Sequence, residues 1–301
     1  MVDITELVSL LAVLAMIVGP AIIFWRKIPI VFGLMVVIIF IYILQIASSP
    51  ISHPVASQVF LDLHLAPTDI LTPAYFYTIF TSMFLHASTL HLVFNLFALF
   101  FIGIMLERRI GMTRFFVIYI IAGLIGGLAW AAIHWGDLAM AVGASGAIMG
   151  TLGAFARLYG RERIRMLLLF FPLPPMPAYM IFVLLLLIDL IIALTSVLPI
   201  AAEAHIGGAI AGFLIAPYVM KLPSKVGRPK QVRVRYSILS HLATTRELQE
   251  ILGNIEKETE PDVQQVWFTH FLKRARCPRC GGPLNIKRDT LYSDCGWRMR
   301  L

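Results

Sequence analysis

Apolar runs of roughly 17 to 25 residues, the length that carries a helix across a bilayer, recur near 5–24, 29–48, 90–107, 114–134, 176–198 and 201–220. A seventh run near 144–159 is shorter and rich in glycine. The pattern predicts an all-α polytopic membrane protein in which polar residues gather in the connections. No basic region precedes the first run and Arg26-Lys27 follow it, so it reads as a retained helix and not as a removable signal. After residue 220 the apolar pattern stops. A basic linker, Lys221 to Arg235, leads to a mixed-charge segment near 237–274 that predicts helix, then to a cysteine-bearing end. These shifts divide the chain into an N-terminal helix with a short basic loop (1–28), a membrane core (29–221), a linker with a helical segment (222–275) and a terminal segment (276–301).

Composition strengthens the membrane reading, because 59% hydrophobic and only 14% charged residues exceed what a soluble domain carries. The three cysteines, Cys277, Cys280 and Cys295, all lie in the last 25 residues, so no disulfide framework is expected in the membrane part. Charge supplies orientation. Arg26 and Lys27, then Arg108, Arg109 and Arg114, then Arg157, Arg161, Arg163 and Arg165 mark alternate connections, and the other 16 of the 25 Lys and Arg residues follow residue 220. Stretches 1–6, 49–89, 135–143 and 199–201 hold none. The positive-inside rule then gives an outside N terminus and a cytoplasmic C terminus, a parity that seven spans satisfy and six do not. The expected setting is the cell membrane, with the chain integral and multi-pass.

In that topology His86, His91, Ser145 and His205 fall at the starts of segments entering from the outer side, so four polar groups share one depth. Polar side chains in hydrocarbon are costly and face a bundle interior or a water-filled cavity. His91 and Asn95 stand four apart and share a helix face, as do Gly146 and Gly150, and Gly208 and Gly212. Small residues at that spacing let helix backbones approach closely, which would bring the Ser145 hydroxyl within reach of the His205 imidazole. A serine hydroxyl becomes a useful nucleophile when an imidazole takes its proton. Glu203, two positions before His205 on a helix, points to the opposite side and is not expected to act with it. Asp189 lies deep in the sixth span without an evident partner in the sequence; a helix–helix hydrogen bond is the expected use of its carboxyl, not catalysis. A proton-relay transporter would need polar groups crossing the bilayer, whereas these cluster at one level.

From about residue 30 to 220 the chain resembles the rhomboid family of intramembrane serine proteases. The resemblance rests on Phe84-Leu85-His86 followed by His91 and Asn95, on Gly103-x3-Glu107-x3-Gly111, on Gly143-x-Ser145-Gly146, and on Ala204-His205-x2-Gly208-x3-Gly212, in the family's order. It implies a six-helix core to which the first helix is an N-terminal addition, and an active site opening to the outer side. It also implies a Ser–His dyad without a third acid, and cleavage of single-span transmembrane proteins whose helices unwind near the outer interface. Ser145 is then the nucleophile and His205 the general base and acid. His91, the Asn95 amide and the Ser145 backbone N–H are the expected oxyanion donors, and His86 supports structure or substrate access. No metal or nucleotide is expected in the chemistry. Two positions depart from the family pattern. Its usual Trp-Arg pair is replaced by Tyr77-Thr78, and the aromatic residue that many relatives carry four positions after the nucleophile is Met149. The alternative function is a non-catalytic relative that binds transmembrane clients, against which the presence of both Ser145 and His205 argues.

Beyond the core, the linker reads as a juxtamembrane anchor to anionic lipid. Cys277-Pro278-Arg279-Cys280-Gly281-Gly282, followed by Cys295-Gly296-Trp297, resembles a two-knuckle zinc ribbon that would have its fourth cysteine where Tyr292 stands. Three thiolates could hold a structural zinc if His270, Asp294 or water filled the fourth place. Without interleaved aromatics or a reading element, no nucleic-acid partner is expected. The segment reads as an interaction or regulatory module.

Overall fold

The computed structural model describes residues 4–164, 167–168, 171–172, 174–195, 201–223, 239–258, 261–287 and 290–300. Most of the predicted basic linker, and Arg165, lie outside the described residues. The chain divides into two compact units, Met1–Val226 and Gly227–Leu301, each described by itself.

In the first unit the seven apolar runs all form helices. They are α1 (Ile4–Arg26), α2 (Ile30–Ala47), a composite of α5 (Thr89–Ala98), a π-helical turn at Leu99–Gly103 and α6 (Ile104–Ile110), then α7 (Met112–Ile133), α8 (Ser145–Tyr159), α9 (Ala178–Thr195) and α10 (Ala202–Val219). Two short helices, α3 (Gln58–Leu63) and α4 (Thr78–Thr81), lie between α2 and α5. Small antiparallel pairs, β1 (Arg163–Ile164) with β4 (Met176–Pro177) and β2 (Leu167–Leu168) with β3 (Phe171–Pro172), connect α8 to α9. Among the described residues six helices are long and apolar enough to cross a membrane. The protein is therefore an integral, multi-pass membrane protein of all-helical fold. The seventh, α8, has 15 residues, and ten of them, from Gly146 to Ala156, are buried by neighbouring helices.

Small residues set where α8 lies. A β-carbon at Gly208 would run into the carbonyl oxygen of Gly146, and one at Gly212 into that of Gly150. On its other side, a β-carbon at Gly150 would strike Ala122 of α7, and one at Gly126 of α7 would come 2.6 Å from the Ala204 carbonyl oxygen of α10. The predicted pairs Gly146/Gly150 and Gly208/Gly212 thus face each other, and α8 is seated between α7 and α10.

Buried polar groups tie the other segments. The α2 N-terminus follows Pro29 and has no side-chain cap of its own. The Glu107 carboxyl of α6 supplies one, accepting the Ile30 and Val31 N–H groups at 2.8 and 3.0 Å, an anion placed at a helix N-terminus. Gly111, at φ +88°, turns the chain between α6 and α7. Fully buried Gln45 of α2 clasps the His86 backbone from both sides, its Nε2 donating to the His86 carbonyl (3.2 Å) and its Oε1 accepting the His86 N–H (3.1 Å). Helix α1 docks through glycine contacts on α2 and through a 2.6 Å hydrogen bond from Ser9 to Asp62 near the end of α3.

The second unit holds α11 (Arg246–Lys257), α12 (Pro261–Arg274) and an antiparallel sheet of β5 (Asn285–Lys287), β6 (Thr290–Tyr292) and β7 (Arg298–Arg300). Leu248, Ile251, Leu252 and Ile255 recur at helical spacing on α11 and join Phe268, Phe271 and Leu291 in a separate core. The predicted helical segment is thus two helices.

Two substitutions test this framework in detergent micelles. Glu107→Ala orphans two buried N–H groups and should cost roughly 2–5 kcal/mol, read as a lowered unfolding midpoint. Gly212→Ala should lower the midpoint by an overpacking cost of about 1–3 kcal/mol. Gly127→Ala, whose β-carbon would find its nearest neighbour at an ordinary 3.4 Å, should leave it within error. Equal midpoints for the two glycine variants would contradict the backbone contact.

Candidate active site

Ser145 is the first residue of α8, preceded by the buried Ala144 and by Gly143. Gly143 has φ +130°, where a side chain is strained, and its N–H donates to the Ser82 carbonyl at 2.9 Å. A β-carbon there would lie 2.8 Å from Nε2 and Cε1 of His91 and 3.6 Å from the Ser145 hydroxyl. His91 and Ser145 therefore flank one small volume that exists because residue 143 has no side chain. The turn also leaves the first N–H groups of α8 without helical acceptors, as at any helix start.

His205 lies in the first turn of α10. Its Nε2 is 2.6 Å from the Ser145 hydroxyl, across the glycine contact of α8 and α10. Its Nδ1 is 2.7 Å from Oδ1 of Asp189 on α9, with the two side chains 11% and 13% exposed. The helix–helix hydrogen bond expected of Asp189 is present, and its partner is His205 itself. The expectation of a Ser–His pair with no acid beside it is corrected: three helices bring hydroxyl, imidazole and carboxyl into one line. The available sequence signal was a lone acid in an otherwise uncharged span. Glu203 faces elsewhere, its carboxyl 3.6 Å from His134.

His91 and Asn95 stand one turn apart on α5. The Asn95 amide donates to the His91 carbonyl at 3.0 Å, which commits one of its two N–H groups. Ser88 caps this helix by accepting the His91 N–H at 3.1 Å. His86 is fully buried, its ring set edge-on to that of His91 with centroids 5.0 Å apart, and neither ring nitrogen meets a partner among the described residues. A cavity of about 30 Å³ borders Ser145, lined also by Ser82, Gly143, Gly146 and Ala204, with room for one or two waters. At the positions where the family pattern has Trp-Arg, Tyr77 donates to the Asp62 carbonyl (3.1 Å) and Thr78 to the Asp69 carboxyl (3.1 Å), and these bonds anchor the loop. Met149 packs, half-buried, against the hydrophobic core.

In the second unit the sulfur atoms of Cys277, Cys280 and Cys295 all lie within 4.8 Å of one another, with Cys277 and Cys295 3.7 Å apart. His270 and Asp294 do not belong to this cluster. The hydroxyl beside it is that of Ser293, 3.6 Å from the Cys280 sulfur, which helps draw the Cys280 thiol down to about 7. Two tight turns explain the placement. Cys277 N–H bonds to the Gly282 carbonyl and Gly281 N–H to that of Cys277; Ser293 N–H bonds to the Trp297 carbonyl and Gly296 N–H to that of Ser293. The second turn is one residue shorter, so Ser293 holds the place assigned to Tyr292, which instead ends β6.

A family model described as "Rhomboid domain" matches residues 73–222. The chain is 30% identical to RHOMBOID-like protein 7 of Arabidopsis thaliana over 168 residues, 56% of this chain and 50% of that one. It is 34% identical to Rhomboid protease AarA of Providencia stuartii over 167 residues, 48% of this chain and 56% of that one. It is 40% identical to Rhomboid-like protease 3 of Toxoplasma gondii over 77 residues, 25% of this chain and 28% of that one. The chain thus spans about half or less of the length of these relatives. The matched region contains α5 to α10, with Ser145, His205, His91 and Asn95, and on that footing the chain belongs to the rhomboid family.

Proposed function

We propose that this protein is an intramembrane serine endopeptidase that hydrolyses single-span transmembrane proteins near the outer membrane face. The observation that carries the reading is the 2.6 Å approach of the His205 Nε2 to the Ser145 hydroxyl between two apolar helices. In this mechanism Nε2 takes the proton as Ser145 Oγ attacks the scissile carbonyl. The developing oxyanion draws on the Ser145 backbone N–H, on His91 across the gap above Gly143, and on the free Asn95 N–H. Such donors are worth a few kcal/mol each where water is scarce. His205 then protonates the leaving amine, and a water from the outer side, activated by the same imidazole, hydrolyses the acyl-enzyme. His86 holds His91 by ring contact. None of these steps calls on a metal or a nucleotide. The Lys and Arg distribution supports an outward-facing site and a cytoplasmic C terminus. Two of the relatives are named as proteases, and the Arabidopsis relative carries the family name alone.

Purified chain in liposomes should cleave a labelled single-span substrate, and Ser145→Ala and His205→Ala should each lower the rate by at least roughly 10³-fold. Cleavage surviving Ser145→Ala would sink the assignment. Binding of the substrate without cleavage by any form would favour the client-binding alternative.

For the terminal segment we propose a structural zinc held by Cys277, Cys280 and Cys295, with Ser293 or a water it holds at the fourth corner. Zinc–sulfur bonds of about 2.3 Å in a tetrahedron place sulfurs about 3.8 Å apart, which the 3.7 Å between Cys277 and Cys295 matches. The full chain should purify with about one zinc, Cys280→Ala should lose it, and Ser293→Cys should retain it against chelator that strips the unmodified protein. Metal-free protein that takes up no added zinc would overturn this.

A further inference from the structure

We infer that Asp189 is a positioning residue for His205, so that this chain works with a Ser–His–Asp triad. The inference rests on the reading of Ser145 and His205 as the catalytic pair.

Asp189 is the only charged residue of α9, whose neighbours along the helix are leucine and isoleucine. A carboxyl at that depth is costly unless something engages it, and an apolar residue there would pack at no such cost. What engages it is the one ring nitrogen of His205 that Ser145 leaves free. A neutral imidazole carries a single proton, which can sit on either nitrogen. With the proton on Nε2 the ring would donate to the Ser145 hydroxyl and could not take its proton. An ionised carboxyl has no proton to give, so at Nδ1 it selects the tautomer with the proton on Nδ1. The Nε2 lone pair then faces Ser145. When that nitrogen is protonated during acylation, the same carboxyl sits 2.7 Å from the resulting positive charge. Oδ2 of Asp189 is buried and meets no hydrogen-bond partner among the described residues.

Among the described residues, helix α9 is also the least enclosed of the spanning helices, with 11% of its apolar stretch buried against 28–50% in the other five. The Asp189–His205 bond is a polar tie from this loosely seated helix into the site.

The test uses purified full-length protein in liposomes, with Asp189→Asn as the near-isosteric variant and Asp189→Leu as the apolar one. Cleavage kinetics, the rate of Ser145 labelling by a fluorophosphonate and the unfolding midpoint are followed together. Both variants should lose roughly 10²- to 10⁴-fold in kcat, label proportionately more slowly, keep KM within about twofold, and show no loss in midpoint for Asp189→Leu. Unchanged kcat and labelling in variants with the unmodified midpoint would overturn the inference, as would loss of activity that tracks a fall in midpoint in both variants. If the unmodified chain neither cleaves nor labels, the catalytic reading of Ser145 and His205 fails, and this inference with it. That outcome is distinct because it needs no variant.

Discussion

The backbone of α8 lies against the backbone of α10 with no side chain between them at the crossing, because Gly146 and Gly150 on one helix meet Gly208 and Gly212 on the other. That contact decides the geometry of the site. Ser145 begins α8 and His205 lies in the first turn of α10, so the separation of the two helices near their starts becomes the separation of hydroxyl and imidazole. In a bilayer there is little hydrophobic gain from bringing two apolar helices together, and close packing has to supply the attraction. A single added methyl group at Gly208 or Gly212 would fall against a carbonyl oxygen of the facing helix, too close to be accommodated without parting the two backbones. On its far side α8 is backed by α7 through Ala122, so the helix cannot retreat.

Around this seam, a few buried polar bonds place the segments that bear His86 and His91. Gln45 grips the backbone of His86 from both sides, and the α5 cap at Ser88 follows two residues later. Glu107 fixes the start of α2, the helix that carries Gln45. A carboxyl in the first turn of α6 is thereby connected, through the length of α2, to the loop in front of α5. None of these bonds touches the Ser145 hydroxyl; they set the frame in which His91 overhangs Gly143.

Much of this was readable along the chain, and the reasons differ by residue. The helices were legible from apolar run length. The glycine pairs were legible because spacing of four within one helix is a local fact, and so was the sharing of a face by His91 and Asn95. Asp189 was seen as an anomaly, a lone acid in an apolar segment, but its partner was not. His205 lies 16 residues away on a different helix, and only the packing of α9 against α10 brings them together. Glu107 was visible within its glycine motif without any indication that its carboxyl caps α2, 76 and 77 positions earlier. Ser293 was missed for a geometric reason. Spacing by analogy with the first knuckle points to Tyr292, whereas the second turn closes one residue sooner and swings the serine hydroxyl toward Cys280.

The same crossing has a mechanical corollary. Where side chains interlock, helices can slide by changing rotamers; where carbonyls rest on α-carbons there are none to change, and the joint is stiff. Ser145 and His205 ride on such a joint, whereas the carboxyl that meets His205 rides on α9, the span with the fewest buried residues. Compliance in this molecule is thus unevenly shared. On the proposed reading, the rigid element would hold the Ser145 hydroxyl and the His205 imidazole in register, while the more exposed element carries the carboxyl that bonds to His205.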